Sequence, residues 1–296
     1  MQRTLLILGL VVAAVLALLW ATGGYAALQA QVVQGQREVQ SALAGAVRAI
    51  RTGQAGAIWG LLAVSFSYGV LHAAGPGHGK VLIGGYGIGR RVPVLALSGI
   101  ALASSLAQAV VAVAVVYAGV AVLGWTRVQV EGVAEDIMAP VGLAAIAAVG
   151  MWLVWRGLRG IRAAQSVDDH DHHHEADCGC GHAHGPSLDA VQALTGWRDT
   201  AALIAGIALR PCSGALFLLI LTWQMGIGLA GIAGTFAMGL GTAVVTIGVA
   251  LMAVWAREGA LASLPGSRIA RALPWFEVLA GAVVALVALS LLAQAL

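Results

Sequence analysis

The stretch VPVLALSGIALASSLAQAVVAVAVVYAGVAVL (Val92–Leu123) carries no charged side chain. About 20 consecutive apolar residues suffice for a helix to cross a bilayer, so this run is read as a transmembrane helix with residues to spare. Working outward, the same reading gives spans at Gly56–Ala74 and Thr4–Ala21 on one side. On the other it gives Met138–Trp155, Thr200–Trp223, Leu229–Trp255 and Pro274–Leu296. The expected fold is an all-α integral membrane protein of about seven transmembrane helices. Composition agrees: 60% of residues are hydrophobic and 10% charged, against 45–50% and about 25% in soluble domains. Forty glycines suit close helix contact in lipid, where small residues let backbones approach. The net charge of +3 is too small to point to nucleic acid, and three cysteines make no disulfide framework.

Basic residues set the orientation. Seven spans put Arg3, Lys80, Arg90, Arg91, Arg156, Arg159, Arg162, Arg198, Arg257, Arg268 and Arg271 on one side, and Arg37, Arg48, Arg51 and Arg127 on the other. By the positive-inside rule the N-terminus is cytoplasmic and the C-terminus outside. The first span reads as a retained helix. The alternative is a signal peptide cut near Tyr25-Ala26-Ala27 or Leu28-Gln29-Ala30, and its apolar stretch is long for that. The expected divisions are residues 1–24 (this helix), 25–55, 56–160 (a first half of three helices), 161–199 (a cytoplasmic loop) and 200–296 (a second half). In 25–55, Leu28, Val32, Val39, Leu43, Val47 and Ile50 recur at helical spacing among Gln31, Gln36, Arg37, Gln40, Arg48 and Arg51. This reads as an amphipathic helix on the outer membrane face, or equally as a soluble helix packed on the outer ends of the bundle.

Two spans carry interruptions. One reads His72-Ala73-Ala74-Gly75-Pro76-Gly77-His78-Gly79-Lys80, the other Leu209-Arg210-Pro211-Cys212-Ser213-Gly214. Pro76 and Pro211 are 135 residues apart, and the similar runs at Leu106–Val111 and Leu240–Val245 are 134 apart. Near-equal offsets point to a repeat. Three spans per copy would invert the second, giving the 3+3 inverted repeat with broken helices of many secondary transporters. Freed backbone groups at such breaks are tolerated where they are buried in protein or line an aqueous cavity.

His72 and His78 flank the first interruption, and neutral imidazole ligates divalent nickel, cobalt and zinc. Gly75, Pro76 and Gly77 turn the chain so that both rings can face one cavity. Cys212 follows Pro211 in the second interruption and is the third candidate ligand of a transport path, although a free cysteine is more often a small buried apolar residue. Arg210, Lys80, Gln108 and Thr242, with Ser104 and Ser105, are candidates to line or gate the path. For Arg210 the alternative is to snorkel or to bind freed carbonyls, for Lys80 to act only as an orientation charge, and for the neutral residues to make helix–helix hydrogen bonds.

Asp168 to His184 is the most specific stretch. His170, His172, His173, His174, Cys178, Cys180, His182 and His184, with four Asp and one Glu, give 13 candidate ligands in 17 residues, with no Lys or Arg. Such composition reads as metal-binding. Cys178-Gly179-Cys180 lacks the gap and second pair of a zinc ribbon, so the loop is expected to be a flexible chelator in which zinc would also fit.

The motif His72-Ala73-Ala74-Gly75-Pro76-Gly77-His78-Gly79-Lys80, followed by Gly84-Gly85-Tyr86, resembles the signature of the NicO-type nickel/cobalt efflux proteins. Leu209–Leu216 is similar to their second signature, departing at Ser213 and Ala208, and the His-rich loop matches in kind and place. The resemblance runs from about Gly56 to the C-terminus and implies export of Ni2+ or Co2+ across the inner membrane. There is a more distant similarity to the lysine-exporter superfamily. No permanent cofactor is expected, and the partners are metal ions and the lipid bilayer. The sequence contains no P-loop, H-E-x-x-H or G-x-S-x-G pattern, so the chain is not expected to be an enzyme. Proton antiport is the expected coupling. Uptake, thiol-electron transfer and a membrane-bound metal sensor or buffer are the rival readings.

Overall fold

The computed structural model describes residue 18 and residues 22–75, 78–89, 92–168, 197–262 and 266–295. The expected span at Thr4–Ala21 therefore lies almost wholly outside the described residues, and so does the His-rich loop beyond Asp168. Among the described residues the secondary structure is helical, without strands. In chain order the α-helices are α1 (Gly24–Arg51), α2 (Ala57–Ala74), α3 (His78–Gly89), α4 (Val94–Val116), α5 (Arg127–Gly132), α6 (Ala139–Asp168), α7 (Trp197–Ala208), α8 (Ser213–Gln224), α9 (Gly228–Ala262) and α10 (Gly266–Ala295). The protein is an all-α membrane protein. Among the described residues, five segments are long and apolar enough to span: Ala57–Ala74, Val94–Val122, Arg127–Arg162, Gly228–Gly259 and Pro274–Ala295. A sixth is broken, with Thr200–Ala208 and Ser213–Gln224 meeting at 58°.

The ends of these spans refine the sequence reading. The run expected from Val92 is one element that starts at Val94 and closes in a π-helical turn at Tyr117–Val122. The next span begins at Arg127, eleven residues before the expected Met138. Thr126 opens it with a capping box: its hydroxyl accepts the Gln129 N–H, and Gln129 reaches back to the Thr126 N–H at 2.8 Å. A second π-helical turn, Val133–Met138, links α5 to α6. The Gly56–Ala74 span is found at Ala57–Ala74. A separate short helix, α3, begins at His78 and packs on α9 and α10. Gly69 and Gly241 bring α2 and α9 together, and Gly87 lies against Ala253 farther along the same helix. Arg257, 3% exposed, closes this contact by donating to the Gly87 carbonyl at 2.9 Å, a cation at the C-terminal end of α3 where the helix dipole favours it.

Between lipid-solvated helices there is little hydrophobic drive, so close backbone packing matters. A methyl group on Gly69 would sit 2.0 Å from the Met238 carbonyl oxygen, and one on Gly241 would sit 2.2 Å from that of Phe66. The α6/α10 seam is built likewise. A Cβ on Gly150 would lie 2.6 Å from the Ala285 nitrogen, one on Gly281 2.7 Å from the Gly150 oxygen, and one on Gly157 2.8 Å from the Pro274 oxygen. Arg156 pairs with Glu277 across this seam. The outward faces carry large apolar side chains such as Leu95, Trp255 and Leu286.

Helix α1 follows the amphipathic reading. Leu43 and Val47 are fully buried, and Arg37, Arg48 and Arg51 face outward. It packs along α2, with Gly35 beside Leu71 and Val32 beside Gly75.

Candidate metal path at the two helix breaks

The first break follows from Gly75, which leaves the helix with an extended ψ of 172° while its N–H still bonds the Leu71 carbonyl at 3.1 Å. Pro76 and Gly77 lie outside the described residues. His78 opens α3 and Lys80 lies in its first turn, and the side chains of both are outside the description. At the second break Pro211 has no N–H to offer the Ile207 carbonyl. That carbonyl keeps only a 3.4 Å bond from the Arg210 N–H. Gln108 of α4 supplies the missing donor: its Nε2 lies 3.0 Å from the Ile207 oxygen and 3.1 Å from the Arg210 oxygen. The chain then restarts at Cys212, whose carbonyl accepts the N–H groups of Ala215 and Leu216.

The two breaks meet. His72, in the last turn of α2, is within hydrogen-bonding reach of Cys212. Its ring stacks on Tyr68, 6.0 Å between centroids and 11° from parallel. Tyr68 is 2% exposed and hydrogen-bonds Ser213. It can sit there because residue 214 is glycine: a Cβ on Gly214 would lie 2.3 Å from the Tyr68 ring. From α1, Gln36 Nε2 donates to the Tyr68 hydroxyl at 3.0 Å and lies 3.2 Å from His72 Nδ1. Cys212, His72, Gln36, Tyr68 and Ser213 thus form one chain of polar contacts joining both breaks.

His72 also faces a cavity of about 510 Å3, lined on its polar side by Ser104, Gln108, Glu135, Arg210, Ser213 and Thr242. At about 30 Å3 per water, this has room for a cation with its hydration shell. Beside Cys212 lies a void of about 20 Å3 bounded by Gln108, Thr235 and Thr242. Thr242 Oγ1 donates to the Met238 carbonyl at 3.1 Å and the Gly69 carbonyl at 3.3 Å, so it ties α9 to α2 as well as lining the space. Arg210 is close enough to Glu135 for their charges to attract. Among the described residues these are the charged side chains of the cavity wall.

Of the expected path residues, His72, Gln108, Arg210, Pro211 and Thr242 share the cavity wall, and Cys212 joins through His72. Gly75 holds the first break behind them. His170, His172, His173, His174, Cys178, Cys180, His182 and His184 lie outside the described residues. Among the described residues no three His, Cys, Asp or Glu side chains converge as a metal cage. His72 and Cys212 form a pair of potential ligands. Glu135 lies before the span start expected at Met138 and is not singled out by the sequence, and Gln36 counts there among the polar residues of the amphipathic segment 25–55. A glutamine on the border of an apolar stripe was the available signal for Gln36.

Comparison with known proteins agrees with this picture. A family model described as NicO, high-affinity nickel-transport protein, matches residues 58–188, which include the first break and the His-rich loop. The putative nickel/cobalt efflux system of Haemophilus influenzae is 30% identical over 217 residues, covering 68% of this chain and 67% of that protein. No solved structure matches. With the motifs, the helical membrane architecture and this relative in agreement, the chain belongs to the NicO family of nickel/cobalt transport proteins.

Proposed function

We propose that this protein exports Ni2+ and Co2+ across the cytoplasmic membrane in exchange for protons, with His72 and Cys212 as path ligands and His78 completing the set. The observation that carries this reading is the meeting of the two helix breaks, at His72 and Cys212, beside a cavity inside a membrane bundle. Imidazole and thiolate suit nickel and cobalt, and few protein ligands favour passage over storage. In each half two helices separated by a short interruption are followed by two long spans, which supports an inverted repeat rocking about this site.

The excess of basic residues on one side supports a cytoplasmic N-terminus and a cytoplasmic His-rich loop, where the loop would collect metal before export. Moving a divalent cation out of a negative cytoplasm costs roughly 4.6 kcal/mol per 100 mV. Protons entering from outside offset this and displace the metal, because a protonated imidazole cannot ligate. The name of the Haemophilus relative, an efflux system, supports the outward direction.

Inside-out vesicles test each part. With an acidic lumen, they are expected to accumulate Ni2+ or Co2+ when they carry this chain. A protonophore abolishes the accumulation, and His72→Ala removes it at equal protein abundance. Accumulation only in right-side-out vesicles would reverse the direction to uptake. Full proton-driven transport by a His72→Ala/His78→Ala double variant would sink the site.

A further inference from the structure

Helix α1 lies before the first residue of the family-model match, yet it reaches the site through Gln36. We infer that Gln36 is a positioning residue whose side-chain amide turns over to switch His72 between a resting and a metal-ligating tautomer. This rests on His72 being a path ligand.

The argument starts from hydrogen-bond accounting. The Gln36 Nε2 group has two hydrogens and two neighbours, the Tyr68 hydroxyl at 3.0 Å and His72 Nδ1 at 3.2 Å. With the nitrogen facing them, both are acceptors. A neutral His72 then carries its proton on Nε2, so Nε2 has no lone pair for a metal. Rotating the amide by half a turn puts Oε1 in the same place. Its two lone pairs accept from the same two neighbours, the Tyr68 O–H and the His72 Nδ1–H. The imidazole stays neutral: water in the cavity that His72 faces takes the proton from Nε2 and delivers one to Nδ1, which leaves a lone pair on Nε2 for metal. The number of hydrogen bonds made by the amide is unchanged, and the Cys212 thiol in reach of the same ring can accept from it in one state and share the metal in the other, so the amide has two balanced states that metal can bias.

The neighbours allow the turn. Tyr68 exchanges the roles of donor and acceptor through its single hydroxyl, and its contact to Ser213 takes up the difference. Stacking on Tyr68 keeps the His72 ring in plane, so proton placement is the variable left. Metal-bound histidines commonly give their second N–H to an oxygen acceptor, and loss of such a partner typically costs 10–100-fold in affinity or activity. Gln36 supplies an acceptor with the further property that it can withdraw it. A carboxylate would hold the ligating tautomer permanently, and an apolar side chain would hold neither.

The test is the initial rate of Co2+ transport by the full chain in proteoliposomes, resolved into KM and kcat, for Gln36→Leu, Gln36→Glu and His72→Ala, with thermal melting of each. The expected result is a KM raised about tenfold or more in Gln36→Leu, and a KM at or below the wild-type value in Gln36→Glu with a lower kcat, because the metal is released more slowly. Should Gln36→Leu not accumulate, Gln36→Met replaces it. Wild-type KM in the apolar variant would overturn the inference. So would equal impairment of both Gln36 variants, which is the mark of a packing role. Wild-type kinetics in His72→Ala would instead overturn the placement of the path at His72, separating the two failures.

Discussion

The two helix breaks use polar side chains in opposite ways. At the second, a side chain serves the backbone: Gln108 takes over the hydrogen bond that Pro211 cannot make and holds the Ile207 and Arg210 carbonyls. At the first, side chains serve one another. Gly75 keeps an ordinary bond to Leu71, and the polar contacts run through His72 to Gln36, Tyr68 and Cys212. A braced break is a fixed bend, whereas a break whose polar groups pair through rotatable side chains can change partners without unmaking the helix. The chemistry is therefore concentrated on the first break and the rigidity on the second, although both began as similar Pro-x-x-Gly interruptions.

That contrast can be broken experimentally. The largest effect is expected from His72→Ala, which removes a ligand but no backbone support: about a 100-fold loss of transport with an unchanged melting temperature. A parallel drop in melting temperature would show the first break to be structural too. Gly214→Ala follows, because its new methyl group would meet the Tyr68 ring. A loss of about 2 kcal/mol of stability is expected from overpacking, together with impaired transport, since Tyr68 and His72 move as a stack. Gln108→Leu is expected to cost about 1 kcal/mol, as the two carbonyls lose their donor, with a shift in thermal melting larger than its effect on metal KM. The reverse order would make Gln108 a path residue first and a brace second. The smallest effect is expected from Thr242→Val, about 0.6 kcal/mol, the usual worth of a hydrogen bond between membrane helices, with transport near wild type.

Much of this arrangement was legible in the sequence, for specific reasons. Long uncharged runs such as Val92–Leu123 report on the solvent around a helix and need no partner to be interpreted. The prolines and glycines of both breaks declare themselves, because they change what the backbone can do. Pairing is different. Helical spacing marked Leu43 and Val47 as facing something, and both are fully buried. It could not say that Gln36, on the edge of that stripe, would meet a histidine 36 residues away. Helix α3 does not stand out as an element in the sequence because its twelve residues are glycine-rich and too short to cross alone; packing on α9 and α10 gives it its place in the bundle. Glu135 was hidden by its position eight residues into a span that the apolar run alone would start at Met138.

The seam between α6 and α10 has a consequence for how this protein can change over generations. Every mutation at Gly150, Gly157 or Gly281 adds atoms, and the surface opposite includes peptide backbone. Backbone cannot be trimmed by a second mutation to make room. Drift at these three positions therefore has no compensating partner, and the placement of one helix on the other is passed on as a unit. Variation in a lineage is free to accumulate in lipid-facing Leu286 or Trp255, while this line of contact acts as a heritable ruler for the rest of the bundle.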